Sequence, residues 1–173
     1  GGGAVFLDGN QLFFHVILNR DNQIWPKRID AFYKKFLQPV IDVHRRIGIL
    51  AEYKPINDLI VQNRKISGTG AGEIGDCIVF VGNLILDFDY ETMARVLKIP
   101  DEKFRDKVKK TIEENLSTIR RELGEDKAGQ WDEDRLNHML AEEFEKLLGP
   151  MTPSGKDSLL VDKMQALKLG MMG

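Results

Sequence analysis

The chain has 173 residues, 42% of them hydrophobic and 30% charged, with a formal charge of −2. That length can bury a core within one domain, and the near-neutral balance excludes a non-specific nucleic-acid binder, which would carry a basic stripe. No run approaches eighteen uncharged apolar residues, so no membrane-spanning helix is expected; the single cysteine, Cys77, cannot form an internal disulfide and suits a reducing cytoplasm.

Gly1-Gly2-Gly3 lead into Ala4-Val5-Phe6-Leu7, a loop followed by a buried strand. An untethered glycine run is costly to order, so something upstream or in another chain is expected to hold it. Asp8-Gly9-Asn10 is a turn. Gln11 to Leu18 is nearly all apolar, as in a strand covered on both faces, which makes His15 a hydrogen-bonded core residue. From Pro26 the period turns helical through Phe32, Phe36, Leu37, Val40, Ile41 and His44, with Gly48 as the stop. Pro39 predicts a kink or a brief interruption. Ile49 to Tyr53 is a short strand.

Asn57 to Gly72 reads as a hairpin: a β-branched run, a polar break at Asn63-Arg64, and a second run thinned by Gly68, Gly70 and Gly72. Asp76 to Phe88 is the most strand-like run. Its even positions form a strongly apolar face for helices to cover, whereas Val79, Val81 and Asn83 are smaller and could line a pocket. Gly82 marks a bulge or a close approach. After Asp89 the chain is helical in character. Helices are expected over Tyr90 to Leu97, within Asp101 to Leu123, over Asp132 to Leu148 and over Ser158 to Leu169, followed by a frayed tail. Strands first and helices later, in one unit over 1–173, give an α+β fold with a mostly antiparallel sheet.

Lys65 carries the candidate chemistry. It follows the hairpin turn, and the glycines after it let a ligand approach the backbone, where one ammonium can polarise an anionic or carbonyl oxygen. On this window alone, a surface lysine beside an ordinary Gly-rich hairpin is the favoured explanation.

Taken together, Gly1-Gly2-Gly3-Ala4-Val5-Phe6 with Asp8-Gly9-Asn10, Asn57-Asp58-Leu59 with Arg64-Lys65-Ile66-Ser67-Gly68, and the run from Gly82 to Lys107 resemble the catalytic domain of the lipoate-protein ligase A family. The likeness covers roughly positions 1 to 123. Two arginines that precede the glycines in the family pattern do not stand in this chain, and Leu7 and Val81 occupy common histidine positions. The domain is therefore expected to lack an N-terminal part and an accessory domain.

The resemblance implies activation of lipoate with ATP to lipoyl-AMP, followed by transfer to a lysine of a lipoyl-domain protein. Such acceptors are 2-oxo acid dehydrogenase E2 subunits or the glycine cleavage H protein. A separate accessory-domain chain is a further expected partner; nucleic acid and membrane are not. It implies Lys65 as the catalytic residue, and Gly1, Gly2, Gly3, Ala4, Val5, Phe6, Asn10, Asn57, Asp58, Lys65, Gly68 and Thr69 as the ATP and lipoyl-AMP site. Asp58 either meets Mg²⁺ through the phosphates or, with Asn57, caps a turn. Two alternatives remain: a cysteine-dependent octanoyl or lipoyl transferase, for which Cys77 is the sole thiol, and a non-catalytic or partner-dependent ligase-like subunit.

Overall fold

The computed structural model describes residues 7–96 and 102–151. The expected strand over 4–7 is thus described only at Leu7, and the expected last helix and tail lie outside the described residues. Among the described residues six strands come before five of the six helices: β1 (Gln11–Asn19), α1 (Ile29–Arg46), β2 (Glu52–Lys54), β3 (Asp58–Val61), β4 (Arg64–Ser67), β5 (Thr69–Ile74) and β6 (Cys77–Ile85). α2 (Tyr90–Val96), α3 (Glu102–Asn115), α4 (Ile119–Leu123), α5 (Glu125–Ala128) and α6 (Glu133–Leu148) follow. The strands form two antiparallel sheets, ordered β1-β6-β5 and β2-β3-β4, which bears out the α+β expectation.

One face of the β1-β6-β5 sheet is aromatic and packed. Phe80 of β6 meets Phe36 of α1 with ring centroids 5.7 Å apart, and Phe14 of β1 meets Phe144 of α6 at 5.4 Å. Burying such rings removes the largest apolar areas available to this chain, so they fix how α1 and α6 lie on the sheet. α1 runs unbroken through Pro39, contrary to the expected interruption. Phe36, Leu37 and Val40, all fully buried on either side, outweigh the one backbone hydrogen bond a proline removes.

The other face is open, which corrects the reading of β1 as covered on both sides. Phe13 is 45% and Ile17 58% exposed, and His15 is exposed rather than a core residue. Among the described residues α1 and α6 pack on the aromatic face, and Phe13, His15 and Ile17 on the far face meet solvent.

The hairpin turn falls one residue earlier than the sequence suggested. Gln62 and Asn63 both take positive φ, 48° and 65°, the left-handed pair of a two-residue turn whose twist matches the strands. At Gly68 the second run leaves the β2-β3-β4 sheet and continues as β5 in the other, so Gly70 and Gly72 do not belong to the hairpin. Gly82 marks a close approach without a bulge, because its register with β1 is unbroken.

His44 is wholly buried on α1, with Nδ1 2.7 Å from the Val40 carbonyl and Nε2 without a hydrogen-bond partner. Burial lowers its pKa to about 4. The unfolded chain takes up this proton near pH 6.5 and the folded one does not, so stability is full above that pH and is lost as pH falls towards about 4. Urea titrations across this range should show up to about 3 kcal/mol of loss assignable to this site, and His44→Leu should remove that component.

Candidate functional site

The register of the β1-β6-β5 sheet sets three rows on its open face. Phe13 lies beside Asn83 and Gly68, His15 beside Val81 and Gly70, and Ile17 beside Val79 and Gly72. Because β5 contributes only glycines to these rows, a shallow trough runs along it beside Val81 and Val79. Gly68 to Gly72 spans about 14 Å at the usual strand rise. A Cβ added at Gly70 would sit 3.7 Å from Val81, and one added at Gly72 would meet nothing within 4 Å.

Lys65 stands at the head of this trough, its Cε 3.8 Å from where a Gly68 side chain would begin. The ladder between β3 and β4 slips at this point: Leu59 pairs with Ser67 but Ile60 with Lys65, leaving Ile66 as a bulged residue. The bulge buries Ile66 and Ser67 consecutively and leaves Lys65 on the outward face with Asp58. Lys65 Nζ lies 2.5 Å from Asp58 Oδ1, and the lysine side chain is 39% exposed. The cation is thus held on one side and open on another.

Buried amide chemistry fixes the trough. Asn83 Oδ1 accepts from Gly68 N–H at 2.7 Å, and its Nδ2 donates to Gln11 Oε1 at 2.9 Å. Ser67 Oγ donates to the Asn83 carbonyl at 2.6 Å. Asn57 Nδ2 donates to the Thr69 carbonyl at 2.6 Å, and Thr69 Oγ1 donates in return to the Asn57 carbonyl. Asn57 is therefore a latch between the start of β3 and β5, not a turn cap.

The structure brings Asn57, Asp58, Lys65, Gly68 and Thr69 together. Asn10 lies in the turn before β1, its carbonyl accepting from Leu86 N–H at 2.9 Å. Gly1, Gly2, Gly3, Ala4, Val5 and Phe6 lie outside the described residues. Sequence reasoning placed Asn83 on a pocket-lining face but did not assign it, Gln11 or Ser67 to the site. The polar Asn83 within an apolar strand was the available signal. Cys77 opens β6 opposite Asn19 and Ile74, at the other end of the sheet. Among the described residues no group of three or more His, Cys, Asp or Glu could hold a metal ion. Asp58 stands as a single carboxylate, a donor set suited to Mg²⁺ arriving on a nucleotide's phosphates and not to a resident ion.

A model of the family described as lipoyl protein ligase A/B catalytic domain matches residues 1–145. The chain is 33% identical over 121 residues to lipoate-protein ligase LplJ of Bacillus subtilis, covering 69% of this chain and 34% of that protein. It is 26% identical over 129 residues to lipoate-protein ligase A subunit 1 of Thermoplasma acidophilum, covering 69% and 48%. The chain thus spans less than half the length of either. Among solved structures, a bi-partite lipoate protein ligase from Thermoplasma acidophilum superposes with a TM-score of 0.72 at 24% identity, over 90% of this chain and 58% of that one. A lipoate-protein ligase A bound with ATP gives 0.64 at 20% identity, over 95% and 64%. These two structural likenesses carry the fold.

The two faces of the sheet should respond oppositely to one methyl group. A Cβ at Gly82 would lie 2.5 Å from Phe14 Cζ, and that ring is locked between Phe80 and Phe144. Gly82→Ala is expected to cost about 1–3 kcal/mol by overpacking, whereas Gly72→Ala, on the open face, should stay within about 0.5 kcal/mol of wild type in chemical denaturation.

Proposed function

This chain belongs to the lipoyl protein ligase A/B catalytic domain family, and from that premise we propose that it activates lipoate with ATP and passes the acyl group to a lysine of a lipoyl-domain protein. The observation that carries the reading is the placement of Lys65, a fixed, part-exposed cation at the head of a side-chain-free trough. The trough suits a medium-length acyl tail: Val79 and Val81 offer apolar contact, and the glycines admit the chain close to the backbone. The carboxyl end then lies at the ammonium. As the carboxylate oxygen attacks the α-phosphorus of ATP to form the mixed anhydride, negative charge shifts from the carboxylate onto the α-phosphoryl oxygens beside the ammonium and onto the departing pyrophosphate. A preorganised cation stabilises that charge more in the transition state than in the ground state.

Asp58 orients the ammonium before the ligand arrives, and a polyphosphate, carrying more charge, competes for it. Mg²⁺ would enter with the nucleotide as counter-ion to its phosphates, with Asp58 the carboxylate beside them. An ATP-bound ligase and one with bound lipoic acid among the structural neighbours support the two substrates. The acceptor would be a lipoyl domain such as an E2 subunit or the glycine cleavage H protein, and the bi-partite Thermoplasma ligase belongs to a lipoylation system with an E2 lipoyl domain. A cytoplasmic location goes with this reading; no helix among the described residues is long and apolar enough to cross a membrane.

A second reading, a ligase-like subunit that works only with a partner chain, is favoured by the exposed Phe13 and Ile17 beside the trough. Lipoyl-AMP formation by the chain alone, and again with an accessory-domain chain, separates the two.

Lys65→Ala is expected to abolish lipoyl-AMP formation while shifting stability by less than about 1 kcal/mol, because its ion pair is part-exposed. Turnover from radiolabelled ATP, read beside a denaturation curve, checks both halves; wild-type turnover in this variant would sink the reading.

A further inference from the structure

Lys65 sits beside a bulge, where a strand loses regular ladder bonds and its direction is least determined. What fixes it comes from outside the sheet. Ser117 N–H donates to the Lys65 carbonyl at 2.7 Å, and Leu116 forms an isolated parallel bridge with Lys65. The Ser117 hydroxyl donates to Glu122 Oε1, and the same oxygen accepts from Arg64 Nη2 at 3.0 Å. Arg64 immediately precedes Lys65, so a closed ring runs from the Lys65 carbonyl through Ser117 and Glu122 to the Arg64 side chain and back along the peptide bond.

The Glu122 carboxylate is only 8% exposed, in surroundings where an ionised group persists only if it is paired and hydrogen-bonded. Its neighbours are rigid. Thr118 caps α4 by accepting from Arg121 N–H at 3.0 Å, and Arg120 N–H ties the same turn to the Leu86 carbonyl beyond β6. Arg121 Nη1 holds the Leu116 carbonyl at 3.0 Å. The ring thus joins α4 and the segment before it to the backbone of β4, and it meets that strand at the carbonyl of the lysine at the head of the trough.

We propose that Glu122 is a positioning residue for Lys65, acting through Ser117 and Arg64 to aim the ammonium at the activated carboxyl. The inference rests on the ligase reading above. It predicts an effect on turnover and little on binding, because a misplaced cation still attracts a nucleotide but no longer meets the charge that develops in the reaction.

The test uses the 173-residue chain, alone and with an accessory-domain chain added, and follows lipoyl-AMP formation. Glu122→Ala should lower kcat by about 10- to 100-fold with KM for ATP and for lipoate within about twofold. Glu122→Gln keeps an oxygen able to accept from both Ser117 and Arg64, and should restore kcat to within about threefold of wild type. An unchanged kcat in Glu122→Ala overturns the proposal, as does a kcat lost equally in the Ala and Gln variants. Amide hydrogen exchange provides a second readout that needs no turnover. In Glu122→Ala the Ser117 N–H should exchange at least about tenfold faster while Gly68 N–H, held by Asn83, keeps its protection. Undiminished protection at Ser117 overturns the ring. A wild-type protein that makes no lipoyl-AMP sinks the ligase reading instead, and the exchange result then judges the ring by itself.

Discussion

The amide side chain of Asn83 is the constraint on which the rest of the site depends. Two three-stranded sheets meet at Gly68, where one backbone bond, from Asn83 N–H to the Gly68 carbonyl at 3.2 Å, reaches across beyond the ladders. Asn83 reinforces that crossing by accepting from the Gly68 backbone and donating to Gln11, while Ser67 grips its carbonyl. Each such bond contributes about 1 kcal/mol net, and each buried group left without its partner would cost about 1–3 kcal/mol. Against the 5–15 kcal/mol that holds a typical domain together, that is a sizeable share concentrated at one crossing. Lys65 lies on one side of that crossing and the glycine column on the other, so the same bonds that join the sheets also set the cation against the trough.

The two faces of the β1-β6-β5 sheet differ in how tightly they are filled. On the helix side Phe14, Phe36, Phe80 and Phe144 fill space so tightly that Gly82 has no room for a methyl group. On the open side the glycines leave room that no side chain of β5 claims. An acyl chain laid there would gain apolar contact without displacing any part of the core. The Lys65–Asp58 pair follows the same logic: a part-exposed ion pair is worth no more than about 1 kcal/mol, so it orients the cation yet yields it to a ligand of higher charge.

Much of this was legible in the sequence, because local chemistry dictated it. The alternation in Asp76 to Phe88 gave both faces of β6, and Asp132 before an amphipathic run gave the start of α6, whose cap it forms with Arg135 N–H at 2.9 Å. The glycines after Lys65 stood out in the sequence for the same reason. What escaped was non-local. An apolar run such as Gln11 to Leu18 looks alike whether its second face is buried by helices or left open. The passage of the chain between two sheets at Gly68 depends on an asparagine fifteen residues away. The turn slipped by one because Asn63, unlike Arg64, takes the left-handed conformation readily, and Gln62 is carried with it by the strand register.

The same geometry bears on the thiol route that a related transferase would use. A cysteine nucleophile must reach the acyl carbonyl that the lysine polarises, which requires the two within a few ångströms. Cys77 is six residues along β6 from Asn83, about 20 Å at the usual rise, and pairs with the far ends of β1 and β5. An acyl group whose carbonyl lies at Lys65 cannot present that carbonyl to Cys77 without leaving the cation that activates it. Activation by a nucleotide needs no protein nucleophile, and under the proposed reading the fixed cation at Lys65 beside a bare backbone would serve it without a thiol.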